Sequence, residues 1–400
     1  MKVLLINSVC GVGSTGKICV DLAKCLKESG HDCVIAYGRG EAKGWDKTYK
    51  ITSSLGNKIH YIKSRLFDKH GLGSTRETKR FIKFINEYNP DVIHLHNIHG
   101  YYLNYKILFE YLKTSKAKIV WTMHDMWTMT GHCAYTYECE KWHKGCHNCS
   151  KLCDYPKSIK DNSSKNFRLK KELFTSINDL TIVTVSNWLK EEFKKSYFKD
   201  CDIRVINNGI DLNIFKQTES DFRKRYSLED KKVLLAVADR WTERKGFSDY
   251  IKLAEMLDKN TKLIMVGLTE EQKNNLPSNI LGITRTENQQ QLVEIYSIAD
   301  LLINLTYSDN FPTVNIESLA CGTPVLTYNT GGSPEMLTDE TGYVIAQGNM
   351  GGVVDIVNNY NKTSNTIKDC LKQALKYEKT LRFKEYIELY NEKIKNSANS

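Results

Sequence analysis

The 400-residue chain carries 57 Lys and Arg against 47 Asp and Glu, a formal charge of +10, with 41% apolar and 26% charged residues. That length exceeds what one core usually fills, so two domains of about 150 to 200 residues are expected, and the ordinary composition excludes a disordered or fibrous chain. The opening MKVLLINS is too short for a signal h-region and no stretch approaches about eighteen apolar residues, which excludes a membrane-spanning helix and predicts a cytoplasmic protein.

Short β-branched runs bounded by turn residues, with helical patterns of about ten to fifteen residues between them, recur from end to end and predict βαβ units and parallel sheets. The first run, KVLLIN at 2–7, leads into CGVGSTGKI at 10–18. Gly11, Gly16 and Lys17 have the spacing of a P-loop; Gly11, Gly13 and Gly16 have that of a dinucleotide fingerprint. A P-loop needs Ser or Thr after its lysine, and Ile18 stands there. A dinucleotide site needs an acid ending the second strand, and CVIAYGRG at 33–40 ends without one. A glycine-rich turn before a helix N-terminus remains.

After the second strand, at 32–38, residues 58–83 hold eight Lys and Arg against two acids. They are interleaved with Ile59, Tyr61, Ile62, Leu66, Phe67, Phe81 and Ile82. Two readings compete: a basic amphipathic segment lying on an anionic membrane surface, or a solvated helix face beside a substrate groove. The charge fits an anionic partner, but no nucleic-acid-binding signature accompanies it.

Strands follow at 91–97, 118–125, 180–186 and 203–209. His94 and His96 share one face of the first of these, and a strand-buried pair with no third ligand reads as structural rather than as a metal site. Five of the twelve cysteines lie in the loop at 131–153. Cys133, Cys139, Cys146 and Cys149 have spacings that let four thiolates surround a structural zinc, the leading reading there, with Cys153 and His147 as spare ligands. Free thiols and redox use are the other two readings, and disulfides are disfavoured in a reducing compartment.

The polar stretch at 207–230 lacks a clean period and marks the domain break. Six further strands follow at 232–239, 262–267, 279–285, 300–308, 323–329 and 342–348. The expected organisation is α/β: a Rossmann-like domain at 1–210, a second at 211–378, the two facing across a cleft, and a C-terminal helix at 379–400. That helix must pack on something already built, back toward the first domain, and its last residues, KIKNSANS at 393–400, are expected to fray.

Ligands of open α/β sheets bind beyond the carboxyl ends of the strands, and the most informative such end is Leu301 to Glu335. Pro312 is suited to open a helix, which leaves the amides of Thr313, Val314 and Asn315 as an anion site, and Gly322 closes the helix. Asp309 and Glu317 flank the turn. They either accept hydrogen bonds from ligand hydroxyls or complement the helix dipole, by about 0.3 to 1 kcal/mol each.

The block Asp309, Phe311-Pro312, Glu317, Ala320-Cys321-Gly322, Pro324-Val325, Gly331-Gly332 and Glu335 resembles the nucleotide-sugar site of the retaining glycosyltransferases of family 4, which have the GT-B fold. Arg240 and Lys245 in ADRWTERKGF match that family's G-R-x-x-x-x-K-G segment, and NGIDLNIF at 208–215 matches its domain crossing. The departure is Asp309 followed by Asn310, where most members have Glu and a small residue.

The resemblance implies transfer from a nucleoside-diphosphate sugar, UDP-linked in the leading reading, to a saccharide or lipid-linked saccharide of a bacterial surface polysaccharide. It implies that Arg240, Lys245 and the 313–315 amides hold the diphosphate, with no catalytic metal. Glu317 would accept from the ribose and Asp309 from the donor sugar. Phe311 would close the pocket, Asn310 would border it, and Arg285 would sit beside the base. His124 matches the histidine that faces the transferred sugar, though a strand-end histidine satisfied by a neighbour is the competing reading. Gly13 and Ser14 match the loop that reaches the diphosphate, and His99, beyond its strand end, faces donor or acceptor. The implied place is the cytoplasm or the inner face of the plasma membrane. A GT-B sugar-nucleotide epimerase, a P-loop phosphotransferase and a zinc-dependent interaction module are the competing classes.

Overall fold

A computed structural model describes residues 1–398. Its chain forms two compact units, one of residues 1–207 together with the chain from Arg382 onward, the other Asn208–Leu381. In the first unit, strands β1 (Lys2–Asn7), β2 (Asp32–Tyr37), β3 (Thr48–Lys50), β4 (Val92–Leu95), β5 (Lys118–Met123), β6 (Leu180–Thr184) and β7 (Asp202–Val205) form one sheet ordered β3-β2-β1-β4-β5-β6-β7. In the second, β8 (Lys232–Val237), β9 (Thr261–Val266), β10 (Ile280–Ile283), β11 (Leu301–Asn304), β12 (Val325–Tyr328) and β13 (Gly342–Ile345) form a sheet ordered β10-β9-β8-β11-β12-β13.

Every pairing is parallel. Buried on both faces, such strands read as continuous apolar runs rather than alternating ones, as in KVLLIN, where every residue after Lys2 is buried. Each unit is thus a Rossmann-like α/β layer whose strand order reverses once, between β1 and β4 in the first and between β8 and β11 in the second. Backbones diverge at such a switch point, and the crevice beyond the strand carboxyl ends is where open sheets bind ligands.

The structure corrects one expectation and adds detail to two others. The first sheet has a seventh strand, Thr48–Lys50, which none of the apolar runs announced, because its three residues are all half-buried. The basic segment at 58–83 spans parts of two helices, Ser54–Phe67 and Thr75–Tyr88, and Phe81 of the second is core. The C-terminal helix spans Lys379–Ala398, and at the start of the stretch expected to fray Lys393 pairs with Asp179 at 2.5 Å. The remainder of the stretch expected to fray, residues 399–400, lies outside the described residues.

That last helix contributes Phe383, Tyr386, Ile387, Leu389 and Tyr390 to the apolar core around β1, β2 and the helix Gly13–Glu28. Its tyrosines also serve a polar need. Tyr390 Oη lies 2.6 Å from His94 Nδ1, and Thr122 Oγ1 is 2.7 Å from His94 Nε2 and 3.1 Å from Tyr386 Oη. Both nitrogens of a fully buried imidazole are thereby satisfied, which burial demands.

Candidate active site

In the second unit, β8 ends into the segment holding Arg240 and Lys245, and β11 ends into the loop holding Asp309, so the two sides of the switch point carry opposite charges. Arg240 is exposed. Lys245 closes a 3-10 turn, Glu243–Lys245, capped by Gly246 at φ +76. A Cβ at Gly246 would lie 2.1 Å from the Leu305 carbonyl oxygen, so the left-handed conformation and the close approach both require glycine. Arg244 fixes the turn further: its carbonyl accepts from Tyr307 N–H at 2.8 Å and its guanidinium donates to the Ser308 carbonyl at 2.6 Å.

This docking brings Lys245 Nζ to 2.5 Å from Asp309 Oδ2, with both side chains 20% exposed. Burial pushes the Asp309 carboxyl up. The Lys245 ammonium, Arg244 and the Phe311 N–H together outweigh it and hold the carboxyl below its ordinary value. Asp309 is therefore an ionised acceptor at neutral pH.

The helix Thr313–Ala320 follows Pro312, which has an extended ψ of 109. Of the three amides expected at its mouth, Asn315 N–H is spent on the Pro312 carbonyl at 3.1 Å, leaving those of Thr313 and Val314. The Asn315 side chain is no ligand group either. It accepts from Asn304 Nδ2 at 2.8 Å, donates to the Ser333 carbonyl at 3.4 Å and is fully buried. Phe311, expected as a pocket wall, is 4% exposed, with its ring 5.8 Å from that of Tyr377. Asn310 is buried as well. Glu317 lies one turn into the helix, half-buried, and accepts from Tyr296 Oη at 2.9 Å. Arg285, two residues past β10, is exposed.

The first unit gathers its candidates at the same edge of its own sheet. Gly13 opens the helix Gly13–Glu28 directly after β1, and Gly13, Ser14 and Lys17 are exposed. Asn7, ending β1, donates to the Val9 carbonyl at 2.9 Å and accepts from Asn97 N–H at 3.3 Å, tying that loop to the end of β4. His124 follows β5, its Nε2 3.0 Å from His96 Nδ1. Burial lowers the His124 pKa to about 4 despite the nearby Asp125, so the ring is neutral at physiological pH. His99 is not free to meet a ligand with either nitrogen: Nε2 is 2.8 Å from Asp125 Oδ2 and Nδ1 is 3.1 Å from Tyr155 Oη.

The cysteine loop brings the four residues of the expected zinc set into one neighbourhood, with Cys149, Cys146 and Cys139 all acting electrostatically on Cys133. Among the described residues no group of three or more His, Cys, Asp or Glu side chains is placed to hold a metal ion. Cys133 and Cys149 share a hydrogen bond that pushes the Cys133 thiol up and lowers Cys149 to about 6, and Cys146 Sγ accepts from Gly131 N–H at 3.1 Å. No chemistry is routed through a metal there.

Sequence reasoning missed Tyr296, which donates to Glu317, and Arg244, whose charge helps hold Asp309 ionised, because neither stands at a motif position. It also missed Lys170, buried beneath Trp127 with its ammonium 3.4 Å from the ring centroid and 2.7 Å from the Trp127 carbonyl. Its surroundings in the sequence, SKNFRLKKELF, look like an exposed basic helix.

Comparison with known proteins bears on the family and the fold. The family described as Glycosyltransferase Family 4 matches residues 15–214, and Glycosyl transferases group 1 matches residues 218–377. The "Putative colanic acid biosynthesis glycosyl transferase WcaC" of Escherichia coli (strain K12) is 24% identical over 366 residues, covering 87% of this chain and 88% of its own. Sucrose-phosphate synthase from Thermosynechococcus elongatus shares the fold with a TM-score of 0.75 at 15% identity, covering 100% of both chains. Anabaena HepE in complex with UDP-glucose does so with a TM-score of 0.67 at 16% identity, covering 100% of this chain and 99% of its own. The architecture is that of the GT-B glycosyltransferases.

Proposed function

The chain belongs to glycosyltransferase family 4, and from that premise we propose that it moves a sugar, with retention, from a UDP-sugar to a saccharide or lipid-linked saccharide of a bacterial surface polysaccharide at the inner face of the plasma membrane. The observation that carries this reading is the Lys245–Asp309 pair at the switch point of the second unit, next to the amides of Thr313 and Val314. A departing diphosphate needs fixed positive charge and preorganised N–H donors, and a donor sugar needs an ionised acceptor for its hydroxyls. Those are the groups present.

In the proposed step the bond from the sugar C1 to the diphosphate oxygen breaks and the acceptor oxygen bonds to C1 from the same face. The acceptor's proton passes to the departing phosphate oxygen. Arg240 and Lys245 hold the diphosphate with the two amides, Glu317 accepts from the ribose, and Asp309 orients the sugar. Gly13 and Ser14 carry the diphosphate-facing role of their loop, and His124, neutral, hydrogen-bonds the transferred sugar. HepE supports the UDP assignment by its complex with UDP-glucose, and WcaC supports the polysaccharide class by its name.

The test is a panel of UDP-, GDP- and ADP-sugars with lipid-linked and free saccharide acceptors, scored by nucleoside diphosphate release and by proton NMR of the new anomeric centre. UDP release with retained configuration is expected. Absence of release across the panel, or inversion, overturns the proposal, and donor turnover without acceptor assigns an epimerase instead.

A further inference from the structure

The helix Ser54–Phe67 is built inside out. Its buried residues are polar, His60 and Ser64, whereas Leu55, Ile59, Ile62 and Leu66 are 67, 48, 53 and 43% exposed. Those four recur at helical spacing and form one continuous stripe. A surface helix normally turns that stripe to its core, and this one does the reverse because its inner face has polar partners to meet. His60 Nε2 accepts from the N–H groups of Gly71 and Gly73 at 3.2 and 3.1 Å, and Ser64 Oγ lies 3.2 Å from His70 Nδ1.

The stripe continues onto a second segment. Ile159, 71% exposed, is anchored beside the helix by its N–H to the Arg65 carbonyl at 2.8 Å. Lys58, Lys63 and Lys69 on the helix side and Lys157 and Lys160 around Ile159 are all exposed. The sole acid between 54 and 69, Asp68, is buried against His132 at 2.6 Å, and Asp161 beside Lys160 is engaged by the N–H groups of Cys149 and Ser163, so the five lysines outnumber the nearby carboxylates Asp154, Asp161 and Glu77.

We infer that this face is a docking surface for an anionic lipid bilayer, in which the stripe enters the headgroup boundary and the lysines meet lipid phosphates. The chemistry chooses the occupant. Lysine is depleted from protein–protein interfaces, while an apolar helical stripe flanked by exposed lysines in excess over acids is what anionic lipid binds. No described helix is long and apolar enough to cross a membrane, so the contact lies on the surface. The second basic helix, Thr75–Tyr88, takes no part through its apolar residues, since Phe81 and Ile85 are buried.

This inference rests on the first unit alone and is independent of the sugar-transfer reading, which a soluble-acceptor assay tests separately. The experiment is flotation of the full chain with vesicles of equal parts phosphatidylglycerol and phosphatidylcholine, or of phosphatidylcholine alone, at low and high salt. Flotation with the anionic vesicles only, suppressed by salt, is expected. The Ile59→Glu/Ile62→Glu double variant is expected to bind at least about tenfold more weakly with an unchanged circular dichroism spectrum and melting temperature, because both side chains are already exposed. Lys58→Gln/Lys63→Gln is expected to weaken binding and flatten its salt dependence. The inference is overturned if the wild type does not float with anionic vesicles at low salt, or if the double variant floats equally well. It is also overturned if sedimentation shows a wild-type dimer that the double variant dissociates, since a second copy would then cover the face.

Discussion

Lys245 and Asp309 neutralise one another across 2.5 Å, yet a nucleotide sugar asks different things of them, and substitution separates the two. Lys245→Ala takes a cation from the diphosphate and leaves the Asp309 carboxylate buried without its main counter-charge. UDP affinity, measured by calorimetry, is expected to fall about 10- to 100-fold, the worth of a charge-assisted hydrogen bond. Asp309→Asn leaves the lysine available. UDP affinity should then stay within about threefold of wild type while transfer from the UDP-sugar falls by about 100-fold, the loss of an ionised acceptor. If both variants lose UDP affinity alike, the pair is a structural clasp. Asp309 and Glu317 were legible because their chemistry sits at fixed spacing around a helix start. Asn315 and Phe311 shared that motif, but whether a side chain faces the ligand or the core is decided by what packs behind it, and the string does not carry Asn304, Ser333 or Tyr377 as neighbours.

At the scale of elements, the buried parallel strands were readable because burial on both faces writes an unbroken apolar run. Thr48–Lys50 is a three-residue edge strand and writes nothing. The Ser54–Phe67 helix misleads in the opposite way, since its apolar stripe is the ordinary mark of a core face and here is the exposed one. Two elements carry predictions. Gly246→Ala forces a Cβ to 2.1 Å from the Leu305 carbonyl at a positive φ. It should destabilise the second unit by about 1 to 3 kcal/mol in urea titrations and raise the donor KM, since the turn carrying Lys245 must move off the Asp309 loop. In the C-terminal helix, Tyr390→Phe leaves the buried His94 Nδ1 without its 2.6 Å partner. A loss of about 1 to 3 kcal/mol in urea-induced unfolding is expected, with donor affinity unchanged, because the cost is that of an unpaired buried polar group.

The two units divide the titratable groups of the molecule unequally. All ten histidines lie at or before His147, inside the first unit, and the second has none. Several are buried as neutral rings: burial lowers His60 to about 4, His94 to about 3 and His124 to about 4, and pushes His70 and His96 well down. An unfolded histidine takes up its proton near about pH 6.5. Between that pH and about 4 the unfolded chain binds protons that the folded first unit refuses, so stability is full above the unfolded pKa and is lost as the pH falls. At pH 5 each such ring costs up to about 2 kcal/mol, and a few of them rival the whole stability of a domain, about 5 to 15 kcal/mol. The depressed carboxyls Asp125 and Asp309 titrate below this window and leave it to the histidines. Urea unfolding followed by pulse proteolysis, with peptides mapped to 1–207 and 208–381, separates the units. On going from pH 7 to pH 5 the midpoint for first-unit peptides should fall steeply while that for second-unit peptides holds. Equal movement of both midpoints would mean that the buried rings are not the source of acid lability. A fall in the second unit alone would place that source among its carboxylates.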